Sequence, residues 1–183
     1  MRVVLDACVL YPTVMREVLL GVASAGMFDP VWSDRLLEEW ARAAARHGAG
    51  EEAVARGEIA LVRAAWPRAA VSARPSDLNR LWLPDENDIH VLGTAIAASA
   101  DGIVTLNAQD FPRGTLTSEG VARFDPDGFL FGLYHDDPVS VAGVVETVRR
   151  KAEALSGAEW TARGLMKKAR LPRLGKAVEA GSV

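Results

Sequence analysis

One cysteine, Cys8, stands in 183 residues, which excludes an internal disulfide and the zinc sites built from several cysteines. No apolar run approaches the roughly 20 residues a membrane span requires, and Asp6 interrupts the N-terminal apolar stretch where a signal peptide keeps an uncharged core. The expectation is therefore a cytoplasmic chain with no membrane segment. Histidines are few and dispersed, at His47, His90 and His135, so no histidine cluster offers a site. There is no internal repeat and no low-complexity tract. With 49% hydrophobic and 25% charged residues, the composition excludes wholesale disorder. The length suits one domain, or one domain with an appendage.

Lysine is missing in a more informative way. Residues 1–140 contain none, and their 12 arginines face 20 acids, a net charge of −8; residues 141–183 hold 5 Arg and 4 Lys against 4 Glu, a net of +5. The total of −3 hides both halves. A strongly basic chain would point to nucleic acid through phosphate neutralisation, but only the tail is basic. The function is therefore sought in the carboxylates of the acidic body.

The patterning reads as α/β. Arg2–Tyr11 is an apolar, β-branched run fitting a strand buried on both faces of a parallel sheet, with Asp6 at or near its C-terminal end. A helix after Pro12, a short strand at Pro30–Ser33 and a helix started by Ser33 follow in βαβ order. Residues 48–66 read as helix and 68–75 as a short strand. A helix over Leu83–Ala100 opens with acids, Gly102–Asn107 is a buried strand, and Val121–Phe124 completes the sheet. Beyond Asp136, Val139–Leu155, Glu159–Ala169 and Arg173–Ala180 read as helices. The expected fold class is a three-layer α/β/α domain around a mostly parallel sheet, residues 1–136, with a helical C-terminal extension, residues 137–183.

Each acid has a structural explanation when taken singly. Asp6 could cap a helix or pair with an arginine, Asp85 after Pro84 is a good N-cap, and Asp110 could open the turn before Pro112. Together they form a different pattern. Asp6 and Asp110 follow strand ends, where open parallel sheets gather ligands, and Asp85 and Asp88 share a face at a helix start. A lone buried carboxylate costs several kcal/mol unless paired or bound to metal. With no lysine nearby, a shared divalent-metal pocket accounts for all of them. Glu38 and Glu39 flank the apolar face of their helix at similar angles, and periodicity does not choose between them.

Four segments carry a resemblance: Val3-Val-Leu-Asp6-Ala-Cys-Val-Leu10, Ser33-x-x-Leu-Leu-x-Glu39, Asp85-Glu-Asn-Asp88-x-x-Val-x-x-x-Ala95, and Ala100-Asp101-Gly-Ile-Val-Thr105-Leu-Asn107-Ala-Gln-Asp110-Phe111-Pro112. In order and separation, over about residues 2–125, they resemble the PIN-domain family, and within it the VapC-type toxins of bacterial toxin–antitoxin pairs. The residues beyond 136 resemble the helical extension of some of these toxins. The resemblance implies an acidic quartet of Asp6, Glu39, Asp88 and Asp110, and it is the resemblance that selects Glu39 over Glu38. It makes Asn107, Asp85 and Thr105 supporting residues, and Asp101 a turn residue before its strand. It further implies hydrolysis of RNA to a 5′-phosphate and a 3′-hydroxyl, a cognate antitoxin and a homodimer. Oxygen-only ligands suit Mg²⁺ or Mn²⁺, and two such ions could activate water and neutralise the leaving oxygen.

Two other classes compete. The domain could be a catalytically inactive module that binds RNA or protein, its acids structural and its basic tail the contact surface. It could instead be a phosphoaspartyl enzyme using Asp6, but such enzymes carry a second Asp two residues on, where this chain has Cys8. Cys8 itself reads as a small buried apolar residue, and the five tryptophans as core or partner-facing. The basic tail reads, residue by residue, as a solvated helix face, and in its functional reading as a phosphate-binding strip beside the acidic pocket.

Overall fold

The computed structural model describes residues 1–181; Ser182 and Val183, the end of the expected extension, lie outside the described residues. In chain order the elements are β1 (Arg2–Leu5), α1 (Ala7–Leu10), α2 (Thr13–Ser24), β2 (Asp29–Val31), α3 (Asp34–Ala45), α4 (Ala49–Ala65) and α5 (Pro75–Arg80). A 3₁₀ turn at Glu86–Asp88 leads into α6 (Ile89–Ala97), followed by β3 (Gly102–Val104), α7 (Arg113–Ser118) and β4 (Ala122–Phe124). The C-terminal helices are α8 (Pro126–Asp136), α9 (Pro138–Ser156), α10 (Ala162–Lys168) and α11 (Pro172–Gly181).

The sheet is parallel throughout, in the order β2-β1-β3-β4. Val3, Val4 and Leu5 of β1 and Ile103 and Val104 of β3 are fully buried, as expected of central strands covered on both faces. β1 pairs β3 with Val3 opposite Gly102 and Leu5 opposite Val104. Gly102 has a packing reason: a Cβ there would sit 2.9 Å from the Ala122 carbonyl oxygen of β4. From β1 the chain steps outward to β2, then returns past β1 to β3 and β4. That reversal puts the topological switch point between the C-terminal ends of β1 and β3, where open α/β sheets bind ligands. Since parallel crossovers are right-handed, the two directions place connections on both faces, which is the three-layer α/β/α class.

Two compact units divide the chain: Met1–Tyr11 with Asp29–Phe124, and Pro12–Phe28 with the chain from Asp125 onward. The first contains the sheet, with α6 packed on β1 and β3. In the second, α2 packs along α9, and Gly21 is placed where a Cβ would meet the Val144 side chain at 2.6 Å. Asp127 is buried there and accepts from the backbone N–H groups of Arg173 and Leu174, at 2.9 and 3.0 Å, at the start of α11.

Local chemistry corrects several sequence expectations. The apolar run 2–11 is not one strand: Asp6 turns it, and its carbonyl accepts from Val9 N and Leu10 N to open α1. The expected strand at 68–75 reduces to one parallel bridge, Trp32 to Ala70, after which Pro75 starts α5. The helix expected from Leu83 begins only at the 3₁₀ turn, because the chain is still extended at Asp85. α8 was not expected; Asp125 caps it by accepting from Gly128 N at 2.7 Å, with Pro126 in its first turn. Ser33 caps α3 as expected, accepting from Leu36 N at 3.2 Å.

Candidate active site

Asp85, Asp88 and Asp110 each offer a carboxylate oxygen within 4.8 Å of the others. Their meeting is built by the backbone. Asp85 Oδ1 accepts from Asn87 N at 2.9 Å and so caps the turn that ends in Asp88; N-capping and membership of the cluster coexist in one residue. Asp110 lies in the loop after β3, which is anchored by the fully buried Phe111 and by Arg123 on β4. Arg123 Nη1 donates to the carbonyls of Ala108 and Phe111 at 2.6 and 2.8 Å. Sequence reading did not single out Arg123, and nothing in its spacing marks it.

Asn107 ties two of the acids together. Its Nδ2 donates to Asp110 Oδ2 at 2.7 Å and to Asp88 Oδ2 at 3.2 Å. An amide between two carboxylates lowers their mutual repulsion without adding charge. The repulsion is still visible at Asp88, whose carboxyl is pushed up to about 6 by partial burial and then by the charges of Asp6, Asp85 and Asp110, with His90 opposing.

Asp6 stands outside the triad, at the end of β1. Its Oδ2 accepts from Thr105 Oγ1 at 2.6 Å and from Cys8 Sγ at 2.9 Å. Thr105 Oγ1 in turn accepts from Asn107 N at 2.9 Å, so Asp6 and Asn107 are linked through one hydroxyl. Cys8 Sγ also accepts from Leu106 N at 3.2 Å, bridging the ends of β1 and β3. Burial, followed by the Asp6 charge, pushes the thiol up to about 12, so it stays protonated and acts as a donor. The sequence reading of Cys8 as a plain apolar residue missed this polar role. Its only signal there is its place two residues after Asp6.

Glu39 is likewise outside the triad. Its Oε1 lies 2.9 Å from His90 Nε2 and 3.3 Å from Arg35 Nε. The His90 approach is close enough for charge pairing but is not aligned as a hydrogen bond, and the buried Nδ1 has no partner among the described residues. Burial would raise the Glu39 carboxyl, but His90 and then Arg35 outweigh it and hold the group below its ordinary value. Glu38 points to other partners, Arg56 at 3.0 Å and Arg42 at 3.5 Å. Asp101 accepts from Arg2 N at 2.7 Å, tying the start of β1 to the turn before β3.

Residues 2–109 match the PIN domain. The chain belongs to the PIN domain family. Asp6, Glu39, Asp85, Asp88, Thr105 and Asn107 all fall inside that match, and Asp110 follows it immediately. No curated protein matches the chain, and no solved structure does. PIN domains are usually metal-dependent nucleases, and the donor set of this one fits a hard divalent cation: three carboxylates converge, all ligand atoms are oxygen, and among the described residues no lysine or arginine is hydrogen-bonded to any of the three. In the tail, most of the cations are occupied. Arg149 pairs with Glu146 and Glu153, Arg150 with Glu146, Lys151 with Glu17 and Arg163 with Glu179, while Lys168 stands over the Trp160 ring. No helix among the described residues is long and apolar enough to cross a membrane.

Proposed function

We propose that this PIN domain is a Mg²⁺- or Mn²⁺-dependent endoribonuclease and the toxin of a toxin–antitoxin pair. The single observation that supports this most is the convergence of Asp85, Asp88 and Asp110 at the switch point of the sheet. These three would hold the cation, with Asp6 beside them and Glu39 at the margin. A bound ion would lower the pKa of water and neutralise charge on a phosphodiester. The protein's own contribution is orientation. Thr105 and Cys8 fix the Asp6 carboxylate by donating to it, Asn107 holds Asp88 and Asp110 at a set separation, and Arg123 pins the loop carrying Asp110. Until a cation is present, the clustered negative charge disfavours an approaching RNA phosphate.

On this reading the hydrolysis leaves a 5′-phosphate and a 3′-hydroxyl, and the protein works in the cytoplasm as a homodimer held in check by a cognate antitoxin. Induction in a host with and without the neighbouring open reading frame, followed by mapping of RNA 5′ ends, tests it. Growth arrest relieved by the neighbour, with new 5′-phosphate ends, is the expected result. Unimpaired growth with an unchanged 5′-end map would refute it.

A further inference from the structure

The tryptophans range from core to surface, with Trp66 and Trp160 half-buried. Trp32 and Trp40 are sealed in the core at 0% and 1%, whereas Trp82 is 64% exposed. Of the core or partner-facing roles expected of the five, the core is closed to Trp82. Its orientation is set by its neighbours. Leu81 and Leu83 are buried, at 8% and 1%, and the backbone is extended at Leu81 and again at Asp85. In extended chain successive side chains point to opposite sides, so two leucines anchored inward hold the indole outward. Trp82 makes no hydrogen bond, ring contact or ion pair among the described residues.

Asp85 of the triad is three positions on from Trp82, a span of at most about 11 Å between their Cα atoms. Two positions beyond Asp85 in the sequence, Asn87 lines a groove of about 560 Å³ together with Arg35, Glu38, Glu39, Arg42 and Arg46. Arg35 donates to the Asn87 carbonyl at 3.1 Å, which joins the groove to the turn bearing the triad. Arg42 is held by Glu38 at 3.5 Å, while Arg46 has no partner among the described residues. An exposed aromatic face and an arginine-lined polar groove, both carried close to Asp85 along the chain, match the two halves of a nucleotide strand, base and phosphate.

We infer that Trp82 is a base-stacking platform: a base of the RNA next to the phosphate at the triad lies on its indole, and the backbone continues past Asn87 toward Arg46. This rests on the nuclease reading above. A strand is favoured over a protein segment because Leu81 and Leu83 are buried, which leaves Trp82 as the one exposed large apolar side chain between residues 62 and 138 among the described residues, while the groove that Asn87 lines carries three arginines. The bases involved must be unpaired, since a duplex keeps their faces stacked on one another.

The test is binding of a labelled single-stranded oligoribonucleotide, with 2-aminopurine at successive positions, in millimolar Ca²⁺, to the full chain and to Trp82→Ala, Trp82→Phe and Arg46→Ala. Circular dichroism and Mn²⁺ binding report whether each variant is folded. Trp82→Ala should weaken binding about 5- to 150-fold and abolish 2-aminopurine quenching, with Trp82→Phe retaining most of both. Arg46→Ala should lower the slope of log affinity against log salt by about 0.7. Affinity within twofold of the unmodified protein for a folded Trp82→Ala would overturn the inference, as would loss of a protein partner with RNA affinity intact. The two readings separate: Trp82-dependent binding without cleavage in Mg²⁺ or Mn²⁺ sinks the nuclease alone, whereas cleavage indifferent to Trp82→Ala sinks only this inference.

Discussion

The Thr105 hydroxyl donates to the Asp6 carboxylate at 2.6 Å across the ends of two neighbouring parallel strands. Thr105 is nearly buried, so this bond fixes which way Asp6 faces. Replacing it by the isosteric valine removes the donor and keeps the volume. Groups that orient metal ligands are commonly worth 10- to 100-fold in affinity. Thr105→Val should therefore weaken Mn²⁺ binding by about that factor, and Thr105→Ser should restore most of it. Calorimetric titration of both variants decides the matter, and equal affinity in Thr105→Val would show that Asp6 needs no such support.

Asp88 gives the pH dependence. Its carboxyl sits at about 6 in the folded chain against an ordinary 3.8, so the folded state holds a proton that the unfolded state releases. Stability from this source is fully present below pH 3.8 and is lost as pH rises through about 6. Above that range the ionised Asp88 faces Asp6, Asp85 and Asp110, a repulsion that Asn107 and His90 offset only in part. Asp88→Asn should accordingly raise the thermal midpoint of the metal-free protein at pH 7.5, with little effect at pH 4.5. Mn²⁺ should raise the midpoint of the unmodified protein at pH 7.5 and raise that of the variant much less. A variant destabilised at pH 7.5 in the absence of metal would contradict this account of the cluster.

Cys8 provides a chemical probe of the same site. With its thiol pushed up to about 12 and donating to Asp6, it should react with iodoacetamide far more slowly at pH 8 than a free thiol. Urea should bring the rate to that of an ordinary cysteine. Fast labelling of the native chain, followed by mass spectrometry, would show that the thiol is not engaged as described.

How much of this was legible in the sequence varies with range. Ser33 as an N-cap, the buried β3 strand and the parallel α/β class follow from local residue types, and the structure has them. α5 and α8 escaped notice because a proline at the first turn reads equally well as a break. The convergence of Asp85 and Asp88 with Asp110 depends on the sheet bringing the end of β3 beside the start of α6. Strand-end placement suggested it, but only the fold supplies the separation. What the sequence could not carry is which carboxylates are already engaged. Glu39 is taken up by His90 and Arg35, and Asp6 by Thr105 and Cys8, through contacts spanning about 50 and 100 residues of chain. Arg123 acts in the same way, as geometry rather than motif, whereas Asn107 stands in a motif and only its two partners needed the fold.

RNA cleavage by the purified protein tests the central claim most directly, comparing the unmodified chain with Asp88→Asn and Asp110→Asn in Mg²⁺, Mn²⁺ and EDTA. The account predicts cleavage in either cation, none in EDTA, and a loss of at least about 100-fold in each variant, since each substitution removes a ligand from the group that would hold the ion. Cleavage that persists in EDTA, or that survives both substitutions at an undiminished rate, would contradict it.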